Sequence, residues 1–209
     1  MLLDDFSRLS GLQLDALKEI GNIGSGNAAT ALAQMINSKI DMNVPNVKIL
    51  PFTEVSDLIG GADIPVAGIY LNVSGTAPCS IMFILPVAQA RMLINMLLGQ
   101  PADVAPEEDF DDFRMSAMME LGNILAATYL NALSMFTQIS FIPSVPALAI
   151  DMAGAILNAI LSQFGEIADH VLVLETDFKK EGQDVMGYFF LLPEPGSLST
   201  ILNALGVNV

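Results

Sequence analysis

Two short stretches of this chain carry the same polar residues at the same spacing. Residues 15–45 contain Asp15, Glu19, Asn22 and Pro45, and residues 116–146 contain Ser116, Glu120, Asn123 and Pro146, every pair offset by 101 positions without a gap. Gly21 and Ile23 recur as Gly122 and Ile124, whereas most residues between the Asn and the Pro differ between the copies. On a helix, positions three and four apart share a face, so each copy projects a carboxylate beside a carboxamide, with Asp15 or Ser116 on the same side. A polar stripe on an amphipathic helix would explain one copy. Its repetition among replaced neighbours points to chemistry.

The residue types limit that chemistry. Each copy offers one well-placed acid, which does not suit the carboxylate pair of a glycosidase. No activated nucleophile with a neighbouring base is visible. A neutral amide can hold a water by donating and accepting hydrogen bonds. That suits in-line attack on a phosphoryl group, where orientation and electrostatics do most of the work. A carboxylate in the amide's place would repel the phosphoryl oxygens. The nearby Glu would pair with a lysine of a phosphorylated partner. GNIGSGNAAT (21–30) resembles a phosphate loop in its glycines, but it lacks the closing Lys-Ser/Thr and falls inside a predicted helix. Gly21, Gly24 and Gly26 are expected to allow close helix packing, which would offset about 1 kcal/mol per glycine in a helix interior.

Composition narrows the field further. Of 209 residues, 53% are apolar and 15% charged, which excludes a disordered chain. Eight basic against 23 acidic residues give a net charge of −15 and a pI near 4.1. Nucleic acid and anionic membrane surfaces are therefore unsuitable partners. Cys79 has no second cysteine to pair with and His170 no second histidine, so no disulfide and no metal centre is expected. Mean hydropathy is +0.56, yet the most apolar region, 139–164, contains Pro143, Pro146 and Asp151. No run approaches the roughly 20 residues needed to span a bilayer. Asp4 and Asp5 precede any basic and hydrophobic leader, so no signal peptide is expected and a cytoplasmic location follows.

The elements that must position the Glu and Asn pairs are readable. Apolar residues at helical spacing predict a helix over 12–36. VPNVKIL (44–50) predicts a strand, 64–75 and 78–86 a strand pair around Gly75, and a following helix closes at Gly99. The second half repeats the order, since FILPVAQARMLINMLLG (83–99) matches FLLPEPGSLSTILNALG (190–206) at an offset of 107. The six extra residues fall where DMAGAILNAILSQFGE (151–166) predicts a longer helix, with Asp151 as its N-cap. An α/β fold of the α+β type results, one domain over 1–209 with pseudo-twofold halves of about 10–100 and 111–209. The halves share one core and a largely antiparallel sheet, the connections being too short for crossover helices. DVAPEEDFDDF (103–113), six acids in eleven residues, joins them as a solvated stretch.

The pattern Asp/Ser-x3-Glu-x2-Asn-x22-Pro, present twice, resembles the signature of the CheC/CheX/FliY family of response-regulator phosphatases. EIGNIGSGNAATAL (19–32) is its most specific stretch, and the resemblance covers essentially the whole chain. It implies hydrolysis of the phosphoaspartate of the chemotaxis regulator CheY, with Mg²⁺ already bound to CheY and no cofactor held by this chain. It assigns Asn22 and Asn123 to orienting the attacking water, and Glu19 and Glu120 to meeting CheY near its active-site lysine. Asp15, Ser116, Pro45 and Pro146 support the motif. The resemblance also implies binding of the receptor deamidase CheD through the extra helix that begins at Ile150-Asp151-Met152, with Asp151 as a contact. A monomer in isolation is expected. The alternative is a CheD-binding adaptation module with little catalytic contribution.

Overall fold

The computed structural model describes residues 9–100, 110–164 and 170–207. In chain order the elements are α1 (Gly11–Ile36), β1 (Asp41–Asn43), β2 (Val47–Pro51), α2 (Val55–Ile59), β3 (Pro65–Gly75), β4 (Cys79–Pro86), α3 (Val87–Leu98), α4 (Asp112–Thr137), β5 (Phe141–Pro143), β6 (Ala147–Met152), α5 (Ala153–Phe164), β7 (His170–Lys180), β8 (Gln183–Pro193) and α6 (Ser197–Ala204). The class is the anticipated mixture of helices with an antiparallel sheet.

The helices that carry the repeated residues, α1 and α4, are both 26 residues long. A reciprocal capping box starts α1: Ser10 accepts the N–H of Gln13, and the Gln13 side chain accepts the N–H of Ser10. Asp111 starts α4 by accepting the N–H of Arg114 at 2.8 Å. Asn37 and Gln138 end the two helices in the left-handed region, at φ 49° and 58°. Both pairs of caps keep the 101-residue offset, so the repeat reaches further than its motif.

Of the strand expected over 44–50 only the part from Val47 forms, as β2; β1 is a further short strand before it, and the two are separated by a break around Pro45. Proline has no N–H for a ladder, and the same break separates β5 from β6 around Pro146. The anticipated hairpins β3/β4 and β7/β8 are antiparallel throughout. Gly75 is at φ 137°, and a Cβ there would lie 2.2 Å from the carbonyl oxygen of Ser140, so only glycine fits. Gly99, at φ 67°, ends α3 as expected.

The sheet runs β1-β7-β8-β4-β3-β5, with β2 also paired to β7 and β6 to β3. The halves have thus exchanged strands: β1 and β2 of the first lie on the hairpin of the second, and β5 and β6 lie on the hairpin of the first. Alternate residues of the central strands face opposite layers. Ile81, Phe83, Leu174, Phe189 and Leu191 join the core under α1, α3, α4 and α6. Met82, Ile84, Val173, Phe190 and Leu192 join a second core under α2 and α5. Coverage on both faces explains why these strands read as continuous apolar runs. Cys79 is buried in the first core.

The longer helix of the second half is present: α5 has 12 residues where α2 has five. The N-cap expected at Asp151 is not formed. Asp151 is still in β6, opposite Val66, and its carboxylate takes the N–H of Met152, one residue before the helix opens at Ala153. Of the acidic stretch 103–113, residues 103–109 lie outside the described residues.

Candidate functional site

Each site is built by a glycine that seats a helix on the sheet and an asparagine beside it. A Cβ on Gly21 would meet Leu174 Cδ2 at 2.8 Å, and one on Gly122 would meet Ile69 Cγ2 at 2.5 Å. Absence of these side chains lets α1 lie against β7 and α4 against β3. Gly24 performs the same service between helices, since its Cβ would be 3.1 Å from Tyr129 Cα. There Ser25 Oγ and Tyr129 Oη share a buried 2.8 Å hydrogen bond, and the Tyr129 ring stacks on Phe189 at 4.2 Å. Burial pushes the Tyr129 phenol above its ordinary pKa, so it remains neutral. Gly26 differs from expectation: it is exposed, a methyl in place of its hydrogen would find nothing within 4 Å, and it serves no packing role.

With Gly21 on the sheet, Asn22 reaches the bend between β1 and β2, where its Oδ1 accepts the N–H of Val44 at 3.0 Å. Pro45 supports this contact, because the residue before a proline is confined to extended conformations. A backbone N–H can only donate, so the partner atom must be the carboxamide oxygen. Among the described residues, the Nδ2 hydrogens and the second Oδ1 lone pair have no partner. Glu19 and Asp15 stand exposed, one and two turns back along α1.

The second copy has its Glu and Asn in a different state. Glu120, Ser116 and Asn123 are exposed on α4, and among the described residues Asn123 has no hydrogen-bond partner. Val145, the counterpart of Val44, is 87% exposed where Val44 is 1%. The bend is held elsewhere: Ser144 donates its N–H to Asn72 O at 2.7 Å, and its hydroxyl accepts the Asn72 N–H at 3.0 Å. Ser116 turns its hydroxyl inward to Asp112 O at 2.8 Å. The two sites lie beside opposite ends of the sheet, one near β1 and β7 and the other near β3 and β5.

Sequence reasoning passes over a polar cluster behind the first site. Glu175, buried in β7, accepts from Asn46 Nδ2 at 2.6 Å and from Lys48 Nζ, while its own N–H donates to Asn46 O at 3.0 Å. Burial acts to raise the carboxyl pKa, but the bonds from Lys48 and Asn46 outweigh it and hold the group below the ordinary carboxylate value. The signal in the sequence is an acid inside the apolar run VLVLETDF. Asp151 is far from these groups in the fold, exposed on β6 between Ile150 and Met152, which are themselves 40% and 47% exposed. Among the described residues, no three His, Cys, Asp or Glu side chains converge as a metal site would require, and no helix is long and apolar enough to cross a membrane.

The chain has relatives among known proteins in both sequence and fold. The sequence pattern of the CheC-like family matches residues 12–49 and 113–150, the two motif-bearing segments. The chain is 39% identical over 206 residues to the CheY-P phosphatase CheC of Bacillus subtilis, covering 98% of this chain and 99% of that protein. It is 27% identical over 126 residues to the flagellar motor switch phosphatase FliY of the same organism, covering 60% of this chain and 32% of that protein. In fold it is similar to the crystal structure of Thermotoga maritima FliY, with a TM-score of 0.76, 20% identity, and coverage of 95% of this chain and 98% of that one. The chain belongs to the CheC-like family.

Proposed function

We propose that this chain is a phosphatase of phosphorylated CheY, hydrolysing the regulator's phosphoaspartate at two sites centred on Asn22 and Asn123. The supporting observation is near full-length identity of 39% to a CheY-P phosphatase in a chain that carries the Glu-Asn pair twice. The exposed setting suits this substrate, because a helix face can meet a phosphoryl group presented on another protein's surface. The free lone pair of Asn22 Oδ1 accepts a hydrogen from the attacking water, and the Nδ2 hydrogens face the phosphoryl oxygens. Water held in line lowers the barrier through orientation and leaves no covalent intermediate on this chain. Glu19 and Glu120 pair with a lysine of CheY and so dock the substrate. Mg²⁺ arrives with the regulator and neutralises the phosphoryl oxygens. The reaction takes place in the cytoplasm, with the chain a monomer in isolation.

Phosphate release from CheY-P with Mg²⁺ tests the reading in wild type, Asn22→Ala, Asn123→Ala and the double variant. Activity lost only in the double variant supports two working sites. Full activity in the double variant overturns the mechanism.

A second reading has its own observation. Exposed Ile150 and Met152 flank Asp151 where β6 passes into the long α5, a surface suited to CheD. Titration of CheD into wild type and Asp151→Lys tests it; equal affinities would remove Asp151 from that interface.

A further inference from the structure

The bend Val44-Pro45-Asn46 is gripped from both faces of the sheet. From the α1 side, Asn22 Oδ1 takes the Val44 N–H at 3.0 Å. Glu175 neighbours Val173, which faces the α2/α5 core two residues away on the same side of β7. From that side Glu175 takes Asn46 Nδ2 at 2.6 Å and Lys48 Nζ, and its backbone N–H holds Asn46 O at 3.0 Å. Lys48 lies in β2 opposite Val173, so the carboxylate bridges two strands and the bend leading into them. We infer that Glu175 is a positioning residue for the first site, fixing through Asn46 the bend whose Val44 N–H orients the Asn22 carboxamide; the role in turnover rests on the phosphatase reading above.

Among the described residues, the second site has no such clamp. The counterparts of Asn46 and Lys48 at the 101-residue offset are Ala147 and Ala149. The strand position facing Gly122 is Ile69, as Leu174 faces Gly21, which makes Tyr70 the counterpart of Glu175. Tyr70 bonds within its own hairpin, to Asn72 and Ser80. Three polar residues that act together at one end of the sheet are thus replaced together at the other. Asn123 correspondingly lacks a partner among the described residues, and Val145 points outward. Glu175 therefore distinguishes the sites: the first carboxamide is held ready, and the second is ordered by its substrate.

The test separates geometry from turnover. In the free protein, Glu175→Leu should shift the Val44 amide resonance and speed its hydrogen exchange, with Glu175→Gln, which keeps one acceptor oxygen, restoring much of the protection. In an Asn123→Ala background, which reports the first site, Glu175→Leu should lower kcat about tenfold at unchanged KM, within the range that misplacing a catalytic group by about 1 Å produces. The Asn22→Ala background, which reports the second site, serves as control. Equal losses in both backgrounds, or an unmoved Val44 amide, overturn the inference. If Glu175→Leu does not give the native melting transition, Lys48→Met, which removes one arm of the clamp from a half-exposed position, takes its place. Phosphate release from CheY-P no faster with the wild-type protein than without it would sink the phosphatase reading, and the Val44 amide would still decide whether Glu175 holds the bend.

Discussion

Asn22 and Val44, separated by 22 residues, are joined by a 3.0 Å hydrogen bond from the Val44 N–H to the Asn22 carboxamide oxygen. The bond fixes which end of the amide is oxygen. A net contribution near 1 kcal/mol is typical for such a bond, but its larger effect is directional, because it leaves the two amide hydrogens for an incoming ligand.

Replacement of Asn22 by Asp separates the two ends of the side chain. The carboxylate still accepts the Val44 N–H, so the fold and the Val44 amide resonance should be retained. The two donors are lost and a charge now opposes the phosphoryl oxygens. In an Asn123→Ala background, Asn22→Asp should reduce CheY-P turnover by about 10²-fold, a loss of the size expected when a positioned group is removed. Single-turnover phosphate release would measure it; retained turnover would mean that the amide hydrogens are dispensable.

Glu175 should make stability depend on pH. Burial acts to raise its pKa, but bonds from Lys48 and Asn46 and the Lys48 charge bring it below the ordinary value of 4.5. A carboxyl depressed in the folded state stabilises above the unfolded pKa, and that stability is lost as pH falls through the folded value. Urea denaturation of wild type and Glu175→Gln should therefore show a gap at neutral pH that narrows as pH falls below 4.5. A gap that stays constant into acid would contradict the clamp's ionic character.

Two glycines of the repeated helices should respond oppositely to alanine. At Gly122 the added methyl meets Ile69 Cγ2 at 2.5 Å, with Ile69 Cβ at 3.3 Å behind it. Overpacking of this kind costs about 1–3 kcal/mol, more than the gain of about 1 kcal/mol in helix propensity. Gly26 has nothing within 4 Å, so Gly26→Ala should gain most of that propensity. Midpoints of urea unfolding should move down for Gly122→Ala and up for Gly26→Ala.

Cys79 should be inert while the protein is folded. Burial, followed by the negative charge of Glu194, pushes its thiol up to about 12. The thiolate is the reactive form, so labelling by a disulfide reagent at a mildly alkaline pH should proceed only as fast as the protein opens. Labelling in native buffer at the rate found in urea would show the cysteine to be accessible.

The sequence is most legible where chemistry and repetition coincide. The Glu-Asn spacing, both long helices, the hairpins and the longer helix of the second half can all be read from periodicity and offset. The break that sets a short strand ahead of β2 or β6 is not, although its cause, Pro45 or Pro146, belongs to the motif itself. Asp151 misleads because an acid before an apolar helical run looks like a cap, whereas pairing with Val66 keeps the chain extended there. Glu175 escapes because its partners, Asn46 and Lys48, lie 129 and 127 residues away, and nothing local reveals that distant strands are neighbours. Strand exchange is invisible for the same reason: the repeat shows that two halves are alike, while long-range pairing decides which half completes which.

That exchange also governs how the molecule could have arisen and how it can be divided. Each helix-and-strand unit lends its first strands to the other unit's hairpin, so an isolated copy would expose an unpaired sheet edge and the flank of a lone long helix. Two separate copies, by contrast, could close on each other as an intertwined homodimer, and a peptide tether would turn that dimer into the present chain without changing one strand pair. Severed between residues 100 and 110, the fragments should find each other again. What duplication released was the outer surface: with every strand of one unit held by the other, the two amide-bearing faces could diverge into a clamped site and an open one while the shared sheet stayed whole.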